Sequence, residues 1–423
     1  MAVTATDIHP TIEAVWKIES PKVIAGLTRM VRDVGLAEDL AQDALVVALE
    51  QWPNSGVPDN PGAWLMAIAK RRAIDLFRRN QLLVRKHEEV TRHLEAKQMA
   101  VPDFDAGIED NLGDDLLSLM FISCHPVLST DARVALTLRL LGGLATDEIA
   151  RAFLASEPAI AQRIVRAKRT LADAQVPFEV PRGAELAARL SSVLEVIYLI
   201  FNEGYSATAG EDWIRPGLCE EALRLGRVLA ELAPLEPEVH GLAALMEIQA
   251  SRMKARVGTS GEPILLFDQD RAKWDQLLIT RGLAALERAE RLSVARGSYT
   301  LQAAIAACHA RARTGDQTDW SRIVTLYDEL AKLAPSPVVH LNRAVAVGMA
   351  SGPAAGFELT ERLTSEASLR NYHLLPSVRG DLLTKLGRLP EARAEFERAA
   401  SLTRNTRERE LLLTRAERLH SSQ

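Results

Sequence analysis

Apolar residues recur along this chain at spacings of three and four, and period-two alternation is almost absent. That spacing lays them along one stripe of a helix. Residues 11–52 read as two helices. In the second, Ala37 to Trp52, one face collects Leu40, Ala41, Ala44, Leu45, Ala48, Leu49 and Trp52, and the other shows Asp39, Gln42, Asp43, Val46 and Glu50. The stretch Pro53 to Gly62, with three prolines and two glycines, predicts a rigid loop rather than helix. A further helix is expected from about Pro61–Ala63 to Arg79. It turns Trp64, Leu65, Ile68, Ile74 and Phe77 inward, at least in part, and raises Lys70, Arg71, Arg78 and Arg79 as a positive ridge. Residues 81–115 are polar and uneven, and predict a partly helical start followed by a flexible linker.

From Ser129 to Asp173 the pattern predicts an apolar helix, a break at Gly142-Gly143, a short helix from Asp147 to Phe153, a tight turn, and a last helix from about Glu157. Thr146 and Ser156 occupy N-cap positions, and Asp147, Glu148 and Glu157 follow in first turns. Ile149, Phe153, Ile160, Ile164, Ala167 and Leu171 form an inward set. The outer face of the last helix carries Gln162, Arg163, Arg166, Lys168 and Arg169, and between Ala159 and Leu171 there are four basic residues and no acid. This is the pattern of a helix-turn-helix that sets its second helix in a DNA major groove. A solvated basic helix has the same composition, so the stretch alone leaves both readings open. Pro177 and Pro181 close it.

From Ala184 onward helix follows helix. LAELAPLEPEVH (Leu229 to His240) resembles LAKLAPSPVVH (Leu330 to His340), and Pro234 and Pro335 stand 101 positions apart. That is roughly three periods of a 34-residue helical-pair repeat. LGRLPEARAEFERAASL (Leu386 to Leu402) has the Gly, the small alanines Ala392 and Ala399, and the Phe396 of a tetratricopeptide-type pair. Stacked pairs build a concave surface suited to a peptide or protein; a purely supporting helical domain is the alternative. Phe201 to Leu225 reads instead as an ordered loop. Its Asn202, Glu203, Tyr205, Glu211, Asp212 and Arg215 show no recognisable nucleophile–base spacing, so it is expected to be structural or partner-contacting, not catalytic.

Composition adjusts this picture in three places. At 423 residues, with 47% hydrophobic and only 5% aromatic residues, the chain predicts several all-α domains. The net charge of −5 hides segregation: residues 68–87 hold seven basic residues against Asp75, and residues 103–115 hold six acids and no base. Local basic patches, not overall pI, are what phosphate neutralisation requires. Third, Cys124, Cys219 and Cys308 lie far apart with no CxxC, which points to reduced thiols in a cytosol. The Cys124-His125 and Cys308-His309 pairs read as core neighbours rather than ligands, and no metal or cofactor is expected. No basic-then-apolar leader opens the chain and no apolar run approaches membrane-spanning length, so the expected location is cytoplasmic.

Taken together, these pieces resemble the bacterial extracytoplasmic-function sigma factors. The family's region 2 pattern is similar to Glu38-Asp39-Leu40-Ala41-Gln42-Asp43, Trp64-Leu65, Ile68-Ala69, Asp75 and Arg78-Arg79; Arg71 stands where many members carry Asn. Its region 4 pattern is similar to the run from Arg133 to Lys168, and the tail looks like the subgroup with a tetratricopeptide-like extension. The resemblance implies an all-α protein: region 2 bundle at 1–80, acidic linker at 81–115, region 4 helix-turn-helix at 116–177, and helical extension at 178–423. It implies that Asp39, Gln42, Asp43 and Val46 dock on the β′ clamp helices of core RNA polymerase, with the β flap as a second contact. Trp64, Lys70, Arg71, Arg78 and Arg79, with the Pro53–Gly62 loop, would melt and hold the −10 strand. Gln162, Arg163, Arg166, Lys168 and Arg169 would engage the −35 duplex. The implied partners are core polymerase, promoter DNA and a regulatory protein on the extension; the implied activity is promoter recognition, not enzymatic. A stand-alone helix-turn-helix regulator with a sensing solenoid is the competing reading.

Overall fold

The computed structural model describes residues 8–90 and 112–420, the side chains of 80–90, 112, 184 and 420 excepted. Asp103, Asp105, Glu109 and Asp110, and with them most of the expected linker, lie outside the described residues. Two compact units divide the chain, 1–196 and 197–423.

The first unit starts with three helices, α1 (His9–Val31), α2 (Val34–Ser55) and α3 (Pro61–Val90). Asp33 caps α2 by accepting from Leu36 N at 2.9 Å, and so starts it three residues earlier than the apolar stripe predicts. The three pack together through Ile24, Leu27, Leu40, Ala44, Ala48, Trp52, Leu65, Ala69 and Ala73. Two expectations change here. Pro53 lies inside the last turn of α2 rather than in a loop, since a proline near a helix end forfeits one bond and leaves the preceding turn intact. Leu49 is 40% exposed, not inward, because it sits at the edge of the stripe.

Next come α4 (Leu112–Ser123), α5 (Thr130–Leu140), α6 (Thr146–Ala152) and α7 (Glu157–Asp173). Helix α4 begins within the expected linker. Its first turn holds Asp114 and Asp115, and Asp115 is buried with Arg29 Nε 3.5 Å away. The N-cap of α6 is Ala145, not Thr146, so no hydroxyl caps the first turn; Glu148 Oε2 accepts from Ala145 N at 2.7 Å. Ser156 does cap α7 by position but makes no side-chain hydrogen bond there. Of the expected inward set, Ile149, Ile160, Ile164, Ala167 and Leu171 are buried and Phe153 is half-buried. Gly143 has φ +63° and lies against α1, where an added Cβ would stand 3.2 Å from Lys17 Cα. A side chain there would meet both backbone strain and backbone atoms.

Helix α8 (Ala184–Tyr205) gives its first half to this unit: Arg189 Nη2 donates to Phe121 O at 3.0 Å and Ser192 Oγ to Cys124 O at 2.6 Å.

The second unit continues from α8 through β1 (Ala209–Gly210), α9 (Pro216–Leu232), α10 (Pro237–Ala250), α11 (Gln276–Leu292), α12 (Ser298–Arg311), α13 (Trp320–Leu333), α14 (Pro337–Ser351), α15 (Pro353–Leu363), α16 (Leu374–Lys385), α17 (Leu389–Leu402), β2 (Arg404–Asn405) and α18 (Thr406–His420). From α9 each helix packs on the next in sequence. The two similar segments fall on equivalent helix junctions. Ala233 ends α9 at φ −125°, ψ 61° and Ala334 ends α13 at φ −134°, ψ 72°, each N–H returning to the leucine four residues back. Packing is closest where side chains vanish: an added Cβ on Gly356 of α15 would lie 2.7 Å from Gly348 Cα on α14. The Phe201–Leu225 segment is a loop only at 206–215, flanked by the end of α8 and the start of α9. It is ordered. β1 pairs in parallel with β2, and Asn405 Nδ2 donates to Ala207 O at 3.1 Å and to Asp212 O at 2.8 Å.

Candidate nucleic-acid interface

Two helices carry the sequence-predicted DNA contacts, and they expose them to different degrees. On α3, Arg71, Arg78 and Arg79 are exposed and Lys70 and Trp64 are half-buried. Trp64 makes an edge-on contact with the buried Trp52, ring centroids 5.2 Å apart, so part of its face is committed to the core. Arg72, on the same ridge, pairs with Asp43 of α2 at 3.1 Å. On α2, Asp39 and Asp43 are exposed, Gln42 is half-buried, and Val46 is 50% exposed beside Leu49. An acidic edge with two bare aliphatic side chains therefore faces solvent.

On α7, Gln162, Arg166 and Arg169 are exposed. Arg163 is half-buried, its guanidinium 3.5 Å from Asp131 at the start of α5. With Arg166, Gln162 and Thr170 it lines a groove of about 450 Å³ running between α7 and Ser129–Ala132. Arg169 pairs with Asp173 at 3.5 Å in full exposure, an ion pair that phosphate would displace at little cost.

Lys168 departs from the expected outer face. Its Nζ lies 2.5 Å from Glu38 Oε2 and 4.0 Å from Asp39, and its side chain is 18% exposed. The reason is geometric: at about 100° per residue, position 168 flanks the buried line of Ile164 and Leu171 rather than the line of 162, 166 and 169.

Glu38, which opens the region 2 pattern but has no expected contact of its own, is the partner that draws Lys168 inward. It is 3% exposed, and beyond Lys168 it accepts from Arg139 Nε at 2.6 Å and from Gln42 Nε2 at 2.5 Å. Two cations and an amide thus balance one buried carboxylate, as burial of a charge requires. The same face is joined by Lys17 to Glu148 at 3.4 Å and by Arg29 to Asp115. The three-helix module and the helix-turn-helix module are docked through these pairs, with Gly143 against α1. A signal for this existed in the sequence: Glu38 falls on the inward line of α2 between Val34 and Ala41, where an acid needs partners.

Burial pushes the Cys124 thiol up to about 11, so it stays a neutral thiol bonded to Thr137 at 3.3 Å. Its neighbour His125 is pulled down by burial and then by Arg189.

Residues 17–82 match the model of sigma-70 region 2 and residues 118–171 that of sigma-70 region 4, while residues 189–290 match a family of unknown function, DUF6596. An uncharacterized protein of Rhizobium meliloti (strain 1021) is 43% identical over 389 residues, 92% of this chain and 91% of that protein. The chain belongs to the sigma-70 family. In this sigma-70 protein, region 2 coincides with α1–α3 and region 4 with α4–α7, and the region of unknown function opens the helical extension. Promoter recognition is the role these two regions support. Among the described residues, no helix is long and apolar enough to cross a membrane.

Proposed function

We propose that this sigma-70 protein is a factor of the extracytoplasmic-function type. It binds core RNA polymerase, recognises −35 and −10 elements, and directs initiation in the cytoplasm, and its tetratricopeptide-like extension modulates that activity. The observation that carries this reading is the separation of two exposed basic surfaces on two modules, Arg71, Arg78 and Arg79 on α3 and Gln162, Arg166 and Arg169 on α7. One suits an unpaired strand beside Trp64; the other suits a duplex groove. Neither helix is expected to bind tightly alone, and tethering both on one polymerase raises the effective concentration of each. Asp39, Asp43, Val46 and Leu49 supply the polymerase-facing edge. We assign Lys168 to holding the modules together through Glu38, not to DNA.

Run-off transcription with purified core polymerase tests the reading. Initiation at defined genomic fragments is expected. Absence of initiation on every fragment, combined with tight duplex binding by the chain alone, would instead make it a stand-alone regulator. Removing residues 206–423 is expected to change promoter output; unchanged output would refute a modulating extension.

A further inference from the structure

The family segment of unknown function gathers buried donors around one tyrosine. Tyr205, 8% exposed, ends α8. The Arg256 guanidinium lies 3.6 Å from its ring centroid and donates Nη2 to the Tyr205 main-chain oxygen at 3.0 Å. Arg252 lies 5.8 Å from the same ring and 5.8 Å from the ring of the buried Trp274. Trp213, from the 206–215 loop, has its ring 5.5 Å from the Arg256 guanidinium. Arg271 stacks on Trp274 at 4.6 Å but spends Nη1 on the main-chain oxygens of His309 and Ala312.

What this knot lacks is an anionic acceptor. Arg252 Nε, Arg256 Nε, Tyr205 Oη, Trp213 Nε1 and Trp274 Nε1 are all sealed from solvent without a hydrogen-bond partner. Among the described residues, neither Arg252 nor Arg256 pairs with a carboxylate. The acid of the same segment, Glu203, is occupied by Arg215 and by Thr208, and Glu247 of α10 is paired with Arg227 at 2.7 Å. The local potential registers on nearby groups. Burial, followed by the charges of Arg252 and Arg271, pushes His309 down to about 4. Burial draws Arg256 below the usual guanidinium range, Tyr205 opposing and Arg252 adding to the fall.

Stacking on aromatic faces offsets part of a buried cation's lost hydration, but it offers nothing to an orphaned N–H. Native interiors rarely leave one such donor unpaired, and here five gather, two of them on cations with no paired acid. We propose that Arg252, Arg256, Tyr205, Trp213 and Trp274 form a binding site for a small oxyanion, a phosphate or carboxylate group. A guanidinium fork and a hydroxyl match such a group's paired oxygens.

The test uses the full chain in chloride buffer, titrated with sodium phosphate, sodium sulfate or sodium acetate at constant ionic strength and followed by tryptophan fluorescence and thermal unfolding. A saturable response beyond that to chloride is expected, with the dissociation constant raised at least about tenfold in Arg252→Gln. Tyr205→Phe keeps the stacking ring and removes only the hydroxyl; a weaker but measurable loss is expected there, and it serves if Arg252→Gln does not fold. Preference for phosphate and sulfate over acetate assigns a phosphate-type group, and the reverse assigns a carboxylate. No saturable response in the unmodified chain, or equal constants in the unmodified chain and both variants, would overturn the site and leave a structural stack.

Discussion

Glu38 and Arg252 are both charged side chains drawn into the protein, and their surroundings are opposite. Glu38 is met by Lys168, Arg139 and Gln42, from three helices of the first unit. Arg252 is met by two aromatic rings, with Arg256 close by and no acid paired to either. The first is a closed account, since every charge in it is answered from within the chain. The second is open and is completed by something the chain does not contain. A charge drawn inward thus marks an internal fastener in one unit and a site for a ligand in the other.

The comparison predicts opposite responses to removing charge. Glu38→Gln leaves two part-buried cations without their shared carboxylate and is expected to cost about 3 kcal/mol, seen as an earlier first transition in urea. An unchanged midpoint would mean that the docked modules do not rely on this carboxylate. The exposed side chains of α7 give an intermediate reference. Arg163→Ala is expected to lose about 1–3 kcal/mol of promoter binding and to relax base preference, whereas Arg169→Ala should weaken binding evenly and lower the salt slope by about one. Equal, sequence-blind losses in both would sink the distinction between a reader at the groove and a clamp at its end. Arg252→Gln, in chloride alone, should change stability by less than about 1 kcal/mol, because no carboxylate is orphaned. A loss as large as that of Glu38→Gln would show that Arg252 has a structural partner after all.

Asp115 gives the finest test, being a buried acid with one cation at 3.5 Å rather than two in closer contact. Burial raises its pKa more than Arg29 lowers it. A raised folded-state value favours the protonated form, so this group's stabilisation is fully present below the ordinary carboxylate range and is lost as pH rises through the folded value. Urea midpoints measured from below to above the ordinary carboxylate range should therefore fall more, or rise less, with pH in the unmodified chain than in Asp115→Asn. An identical slope in both would assign the pH dependence elsewhere.

Much of this protein was legible in its sequence because helix periodicity is local. The stripe of α2, the inward set of α7 and the paired Ala-Pro junctions after α9 and α13 all follow from residues within a few turns of one another. Errors came where one local rule was overruled by another. Thr146 has the right hydroxyl for a cap, yet the helix starts one residue earlier, from Ala145, whose N–H is taken by Glu148. Pro53 has the composition of a loop, yet the preceding turn holds it in helix. Asp114 and Asp115 continue an acidic run in sequence but belong to the first turn of α4.

The sequence by itself determined the helical class, the three-part order along the chain, and the basic faces of α3 and α7. Each is set by side-chain period or local charge. Only the tertiary structure decided that Lys168 turns inward to Glu38, 130 positions away, and that Tyr205, Trp213, Arg252, Arg256 and Trp274 meet in one knot. Whether a buried charge is answered depends on which distant helix arrives beside it, and spacing along the chain carries no record of that.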